Sequence, residues 1–136
     1  MLLIKLKTMD VREQWAQFLN EYDWNYFITC RTPYKIYTRT VSSWIKKLYG
    51  NSLKLDKVFY VAERDKGDYS NNHVHMLIDT NSSITYPELR NALGDISVGD
   101  YQEVYDKAEV CKYVTKHIDK GVDYELTFRH NIPSNK

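Results

Sequence analysis

The segment "NNHVHMLID", residues 71–79, decides the fold of this chain. Side chains alternate between the two faces of a strand, so residues two apart lie on the same face. His73 and His75 therefore share one face. The opposite face is apolar and consists of Val74, Met76 and Ile78. The pattern predicts a half-buried strand with a core face and a second face that carries two imidazoles.

Two imidazoles on one strand face are spaced to share a divalent ion. The alternative is that His73 and His75 are solvated or hydrogen-bonded locally. A motif this short does not by itself decide between the two interpretations.

The preceding segment offers a third ligand. "DKVFYVAE" (56–63) has the composition of a strand, and the polar stretch 64–72 joins it to the histidine strand, which predicts an antiparallel hairpin. If Glu63 lies opposite His73, its carboxylate shares the face of the two histidines. One carboxylate with two imidazoles would form an open site for Mg²⁺ or Mn²⁺. Alternatively, Glu63 caps an exposed end of the hairpin.

The remaining segments alternate between helical and extended patterns. Helices are predicted at 11–22, 40–51, 86–94 and 107–121, and strands at 2–7, 24–32 and 96–105, with 124–128 either a last strand or part of a tail. This order around a central hairpin predicts one α+β domain over residues 1–136, with a mostly antiparallel central sheet and helices packed on it.

The composition is that of a soluble globular protein, with 43% hydrophobic and 27% charged residues. The net charge of +1 argues against histone-like, non-specific nucleic-acid binding, although it allows a local basic patch. No apolar run is long enough to span a membrane, and the N-terminus has no signal-peptide pattern. We therefore expect a cytoplasmic protein without a membrane partner.

The helix predicted at 107–121 carries a second group of chemical interest. Tyr113 and Lys116 are three residues apart and would be neighbours on the helix surface. A tyrosine hydroxyl, with a reference pKa of about 10, is a weak nucleophile at neutral pH. It would need a metal and a nearby cation to attack a phosphodiester. The alternative is an ordinary boundary tyrosine beside a solvated lysine.

Three motifs, which occur in the family's order, resemble those of HUH endonucleases of the rolling-circle replication initiator (Rep) type. "YFITCRT" (26–32) resembles the first motif, "HVHMLI" (73–78) the His-hydrophobe-His motif, and "YVTKHI" (113–118) the tyrosine motif. The resemblance covers about residues 24–120. It implies a five-stranded antiparallel sheet with flanking helices, in the broad RRM/ferredoxin-like group.

The resemblance also implies a mechanism and a set of site residues. The divalent metal, Mn²⁺ or Mg²⁺, would be held by Glu63, His73 and His75. Tyr113 would attack a phosphate of single-stranded DNA at a replication origin, giving a 5′-phosphotyrosine and a free 3′-hydroxyl. Lys116 would steady the phosphate or the metal site.

His117 stands where two-tyrosine initiators carry their second tyrosine, so the chain resembles a single-tyrosine enzyme. One active site would then hold one covalently linked strand. To complete a nick-and-rejoin cycle, either a second subunit of a homodimer supplies its own Tyr113, or another molecule from solution does so.

The segment 24–40 interleaves aromatic and basic residues, as expected where bases stack and phosphates bind. The predicted DNA-binding residues are Arg31, Lys35, Tyr37, Arg39, Lys46 and Lys47. The alternative is that Trp24, Tyr26 and Phe27 belong to the core and that the basic residues are solvated.

Two other functions compete with a replication initiator. A non-enzymatic RRM-like module that binds single-stranded nucleic acid would explain the aromatic residues, but not the combination of histidines, glutamate and tyrosine. A compact HUH transposase would share the chemistry, but the Tyr-x-x-Lys spacing favours the Rep type.

Overall fold

The computed structural model describes residues 10–50, 54–94 and 97–129. Over these residues the chain forms, in order, α1 (Val11–Leu19), β1 (Tyr26–Arg31), α2 (Thr38–Gly50), β2 (Leu55–Glu63), β3 (His73–Thr80), α3 (Tyr86–Leu93), β4 (Ser97–Glu103), α4 (Lys107–Val114) and β5 (Asp123–Phe128). The predicted α+β class, with a five-stranded antiparallel sheet and flanking helices, is confirmed. The strand predicted at 2–7 lies outside the described residues.

The five strands form one sheet in the order β4-β1-β3-β2-β5, and all neighbouring strands are antiparallel. The histidine strand β3 is the middle strand. The run from β1 to β4 follows the β-α-β-β-α-β order of ferredoxin-like domains. The segment at 124–128 is a strand rather than a tail, because β5 pairs with the outer side of β2.

The hairpin of β2 and β3 has the predicted register. Glu63 lies opposite His73, and Val61 lies opposite His75. The backbone N–H of Asn72 donates to the carbonyl oxygen of Glu63 at 2.9 Å and closes the hairpin. Glu63 and the two histidines are therefore on one face of the sheet.

Both faces of β3 are buried, so the prediction of a half-buried strand is wrong. Val74, Met76 and Ile78 pack under α2 and α3, as expected of a core face. On the other face, Leu77 belongs to a second core, which α1 and α4 cover. The members of this second core include Leu19, Phe27, Phe59, Val61, Cys111 and Val114.

The ends of the helices follow local hydrogen bonding. The side chain of Asp10 accepts a hydrogen bond from the N–H of Glu13 and caps α1, as its residue type favours. Thr85 and Glu88 form a reciprocal capping box at the start of α3. No helix in the described part of the chain combines the length and apolar character needed to cross a lipid bilayer.

Helix α4 ends at Val114, so the helix predicted to continue to residue 121 is wrong in its second half. The hydroxyl of Thr115 donates to the carbonyl oxygens of Cys111 and Lys112, which competes with continued helical bonding. Tight turns follow, with hydrogen bonds from the N–H of Lys116 to Tyr113 and from that of Ile118 to Thr115.

Leu77→Ala tests whether the second face of β3 is a true core. Leu77 is completely buried, so the substitution should lower the free energy of unfolding by about 2–5 kcal/mol, as is usual for buried leucines. Gln102→Ala, an exposed change in β4, should cost less than about 0.5 kcal/mol. Urea denaturation measures the free energy of unfolding of both variants. Equal values would mean that the second face of β3 is not a core.

Candidate metal centre

Glu63, His73 and His75 converge at the end of the β2–β3 hairpin. Oε1 of Glu63 lies 3.4 Å from Nε2 of His73 and 3.4 Å from Nε2 of His75. One ligand atom from each residue lies within 4.8 Å of the others. The exposed fractions of the three residues are only 2%, 6% and 4%, in sequence order. The histidines are therefore not solvated, and Glu63 does not cap an exposed hairpin end.

Neighbouring side chains hold the far nitrogen of each imidazole. The hydroxyl oxygen of Thr29 lies 2.8 Å from Nδ1 of His75, and Oδ1 of Asn72 lies 2.8 Å from Nδ1 of His73. Such bonds turn Nε2 of each ring toward the centre, as the outer partners of metal-binding histidines do. Sequence reasoning missed both partners, although pairing β1 with β3 would have placed Thr29 opposite His75.

The charge state of the group suits a cation. Burial raises the pKa of Glu63, but contacts with the two imidazoles and the charge of Lys116 outweigh it and hold that pKa well below its usual value. Burial also lowers the pKa of His75. At neutral pH the carboxylate is therefore ionised and the His75 ring is neutral, which are the forms that bind metals.

Two buried atoms of the group lack a hydrogen-bond partner among the described residues. They are Oε2 of Glu63 and Nε2 of His75. Buried polar atoms are seldom left unpaired, because each costs about 1–3 kcal/mol. A cation between the carboxylate and the imidazoles would satisfy them, and one oxygen with two nitrogens is a donor set that divalent metals accept. The group could therefore bind a metal ion.

Tyr113 and Lys116 lie beside this group. The Tyr113 ring packs edge-on against His75, with 5.2 Å between ring centroids, and against Phe27 at 5.8 Å. Nζ of Lys116 lies 3.7 Å from the centroid of the Tyr113 ring and 3.2 Å from Oε1 of Glu63. The two residues are neighbours as expected, although Lys116 lies in the turn after α4 rather than on the helix.

The metal group, Tyr113, Lys116 and His117 line a single open cavity of about 440 Å³. The charged side chains around it are four basic and three acidic: Arg31, Arg64, Lys66 and Lys116, and Glu63, Asp65 and Asp100. A bound divalent cation would make the cavity clearly positive, which suits an anionic ligand such as a phosphate. Tyr113 is 46% exposed and can meet such a ligand.

The structure separates the predicted DNA-binding residues into three places. Arg31 lines the cavity and pairs with Asp65 at 3.1 Å. Lys35 and Arg39 both lie over the ring of Tyr37, at 4.9 Å and 5.1 Å from its centroid.

Lys46 and Lys47 are exposed on the second half of α2, away from the cavity. Tyr49 of the same helix binds β5, because its hydroxyl forms hydrogen bonds with Thr127. The structure therefore gives no reason to group these two lysines with the metal centre.

Most aromatic residues of the segment 24–40 are structural. Trp24, Tyr26 and Phe27 are buried, so their rings cannot stack on bases and the core interpretation is right for them. The exposed aromatic residues of this segment are Tyr34 and Tyr37. Tyr34 was not among the predicted contact residues.

Comparison of the chain with protein-family models, curated proteins and solved structures finds no significant match. The assignment to HUH endonucleases therefore remains a hypothesis that rests on the motifs and on the geometry of the site.

Addition of Mn²⁺ should raise the melting temperature of the protein, and His75→Ala should abolish that rise because it removes a ligand nitrogen. At a metal concentration 100 times the Kd, the gain in unfolding free energy should be about 2.7 kcal/mol. His117→Ala, in the same cavity but outside the ligand group, serves as the matched control and should keep the full rise. An equal rise in His75→Ala would contradict the metal centre.

Proposed function

We propose that the chain is a metal-dependent endonuclease of the HUH Rep type, which nicks and rejoins single-stranded DNA at a replication origin. The observation that carries the proposal is the position of Tyr113. Its ring packs against the candidate ligand His75, and Lys116 bridges that ring to the ligand Glu63. Nucleophile, cation and metal ligands thus share one cavity.

Glu63, His73 and His75 would hold the metal, for which Mn²⁺ or Mg²⁺ is proposed. When bound, the metal supplies a Lewis acid that polarises and orients a phosphate. The burial of the three side chains fixes their positions before substrate arrives, so little rearrangement is needed at the moment of reaction.

Tyr113 performs the covalent step. Its hydroxyl oxygen attacks phosphorus and loses its proton to solvent, while the bond from phosphorus to the 3′-oxygen breaks and that oxygen takes up a proton. The 5′-phosphate remains on the tyrosine oxygen. Attack by a 3′-hydroxyl on the phosphotyrosine reverses these changes and rejoins the strand.

Lys116 assists Tyr113 through charge. Its ammonium group lies over the tyrosine ring, where it stabilises the negative charge that develops on the phenolic oxygen. The same group contacts Oε1 of Glu63 and therefore stays at the side of the cavity where the metal would lie. Phe27 and His75 hold the ring from two sides, which limits the directions available to the hydroxyl.

The surface around Tyr37 fits an unpaired strand. Exposed aromatic rings flanked by cations can stack on bases and meet phosphates without requiring a particular sequence. Tyr37 with Lys35 and Arg39 provides this arrangement. The backbone connects the surface around Tyr37 to the candidate metal centre, because the N–H of Thr32 donates to the carbonyl oxygen of Asn72 beside β3.

A non-enzymatic RRM-like module remains the rival from another class. It leaves unexplained a buried carboxylate between two imidazoles, because a binding module needs no such group. A transposase would use the same cavity and chemistry. The Tyr-x-x-Lys spacing favours the Rep type.

Tyr113→Phe keeps the ring packing and removes the hydroxyl, so it should abolish covalent adduct formation. The assay is incubation with a library of single-stranded origin sequences and Mn²⁺, followed by detection of protein–DNA adducts on denaturing gels. Tyr105→Phe, which changes a highly exposed tyrosine away from the cavity, should form the wild-type yield of adduct. Adduct at full yield in Tyr113→Phe, or in wild type with EDTA, would refute the mechanism.

Tyr37→Ala should weaken binding of single-stranded DNA by about 1–3 kcal/mol, the usual contribution of one stacked base. Fluorescence anisotropy at fixed salt measures this, with Tyr113→Phe as the background so that cleavage does not interfere. Tyr105→Ala removes another exposed ring and should leave the Kd unchanged. If the two substitutions have the same effect, the surface around Tyr37 is not the DNA contact.

A further inference from the structure

Asn72, the residue before β3, connects the loop at 64–72 to the candidate metal centre. Its amide nitrogen donates to Oδ2 of Asp65 at 3.0 Å and to Oδ2 of Asp68 at 2.9 Å. Its amide oxygen lies 2.8 Å from Nδ1 of His73. All the polar atoms of this side chain therefore have partners.

These partners allow only one orientation of the amide. Two carboxylates can only accept hydrogen bonds, so the amide nitrogen must face Asp65 and Asp68. A flipped amide would direct its oxygen at two anions. The oxygen that remains for His73 can only accept, so Nδ1 of His73 carries the hydrogen.

The orientation of Asn72 fixes the tautomer of His73. A neutral ring with its hydrogen on Nδ1 has a lone pair on Nε2, and this atom lies 3.4 Å from Oε1 of Glu63. Two acceptors then face each other with no hydrogen between them. A proton on Nε2 or a metal cation between the two atoms would make that arrangement favourable, and Nδ1 carries its hydrogen in both cases.

The backbone of Asn72 is held as firmly as its side chain. Its N–H donates to the carbonyl oxygen of Glu63 at 2.9 Å, and its carbonyl oxygen accepts from Thr32 at 3.1 Å. The residue is thus bonded to β2 on one side and to the residue after β1 on the other, which prevents the amide from drifting away from His73.

The tautomer of His75 is not restricted in the same way. Its Nδ1 faces the hydroxyl of Thr29, and a hydroxyl can donate or accept. Either tautomer of His75 is therefore compatible with its partner, whereas His73 is restricted to one.

We propose that Asn72 is a positioning residue that sets the metal affinity of the site by locking His73 in the tautomer with a free Nε2. The proposal rests on the metal centre of the proposed function. It adds that an exposed loop, through Asp65 and Asp68, selects the metal-binding form of a buried ligand.

The first test is calorimetric titration of the full chain with Mn²⁺. Asn72→Ala should bind Mn²⁺ about 10–100-fold more weakly, the usual loss when the outer partner of a metal-binding histidine is removed. Asn71→Ala is the matched control, because Asn71 contributes a backbone carbonyl to the fold and is not part of the amide network. Its Kd should equal that of wild type.

The second test is nitrogen NMR of the histidine rings in metal-free protein, above the pH at which imidazoles titrate. Wild-type His73 should have its hydrogen on Nδ1 only, and Asn72→Ala should give a mixture of tautomers. The double variant Asp65→Asn and Asp68→Asn keeps Asn72 but removes the carboxylates that orient it, together with the contact of Asp65 Oδ1 at 3.7 Å from Nδ1 of His73, so it should also give a mixture. This variant alters only exposed loop positions and covers the case in which Asn72→Ala does not fold.

The outcomes separate this proposal from the proposed function. Unchanged Mn²⁺ affinity in Asn72→Ala, or a single His73 tautomer in all variants, would overturn the role of Asn72 while the metal centre stands. Failure of wild type to bind Mn²⁺ would overturn both. Weaker binding together with a tautomer mixture supports the proposal.

Discussion

The carboxylate of Glu63 is a negative charge in the interior of the protein, and the candidate site is built around it. An isolated charge at such a depth would be very costly, so it must be paired. The antiparallel register of β2 and β3 supplies two imidazoles from the neighbouring strand. The turn after α4 supplies the ammonium group of Lys116. A shift of one residue in that register would move Glu63 to the opposite face of its strand and leave it among apolar side chains.

Burial of both faces of the sheet links the fold to the chemistry. Helix α4 covers the second core with Cys111 and Val114, and the same helix carries Tyr113. The helix therefore cannot pack on the sheet without bringing the tyrosine to the candidate metal ligands. Apolar packing beneath the site also lowers the local dielectric constant, which strengthens every charge interaction in it.

The parts of the site that the sequence predicted are those set by short-range periodicity. Alternation in the two strands places Glu63 and the histidines on one face once Glu63 pairs with His73. The proximity of Tyr113 to Lys116 follows from their spacing of three residues, which brings them together in a tight turn as well as in a helix.

The parts that were mispredicted or missed depend on contacts between distant segments. Nothing local in "HVHMLID" shows that α1 and α4 cover its second face, because those helices lie far away in sequence. Thr115 ends α4 through a hydroxyl that many helices tolerate. Nothing in the sequence distinguishes Thr29 and Asn72 from other polar residues, because only the folded chain places them against the imidazoles.

The contact between Lys116 and Glu63 has a consequence for assembly of the site. In the metal-free chain the ammonium group already neutralises the carboxylate, so the interior contains no uncompensated charge while the chain folds. The fold would then not need an ion to compensate Glu63, unlike small domains that fold only around a metal. A metal ion held by Glu63 would meet an oxygen atom that Lys116 already contacts, so this carboxylate would have a positive partner with or without the ion.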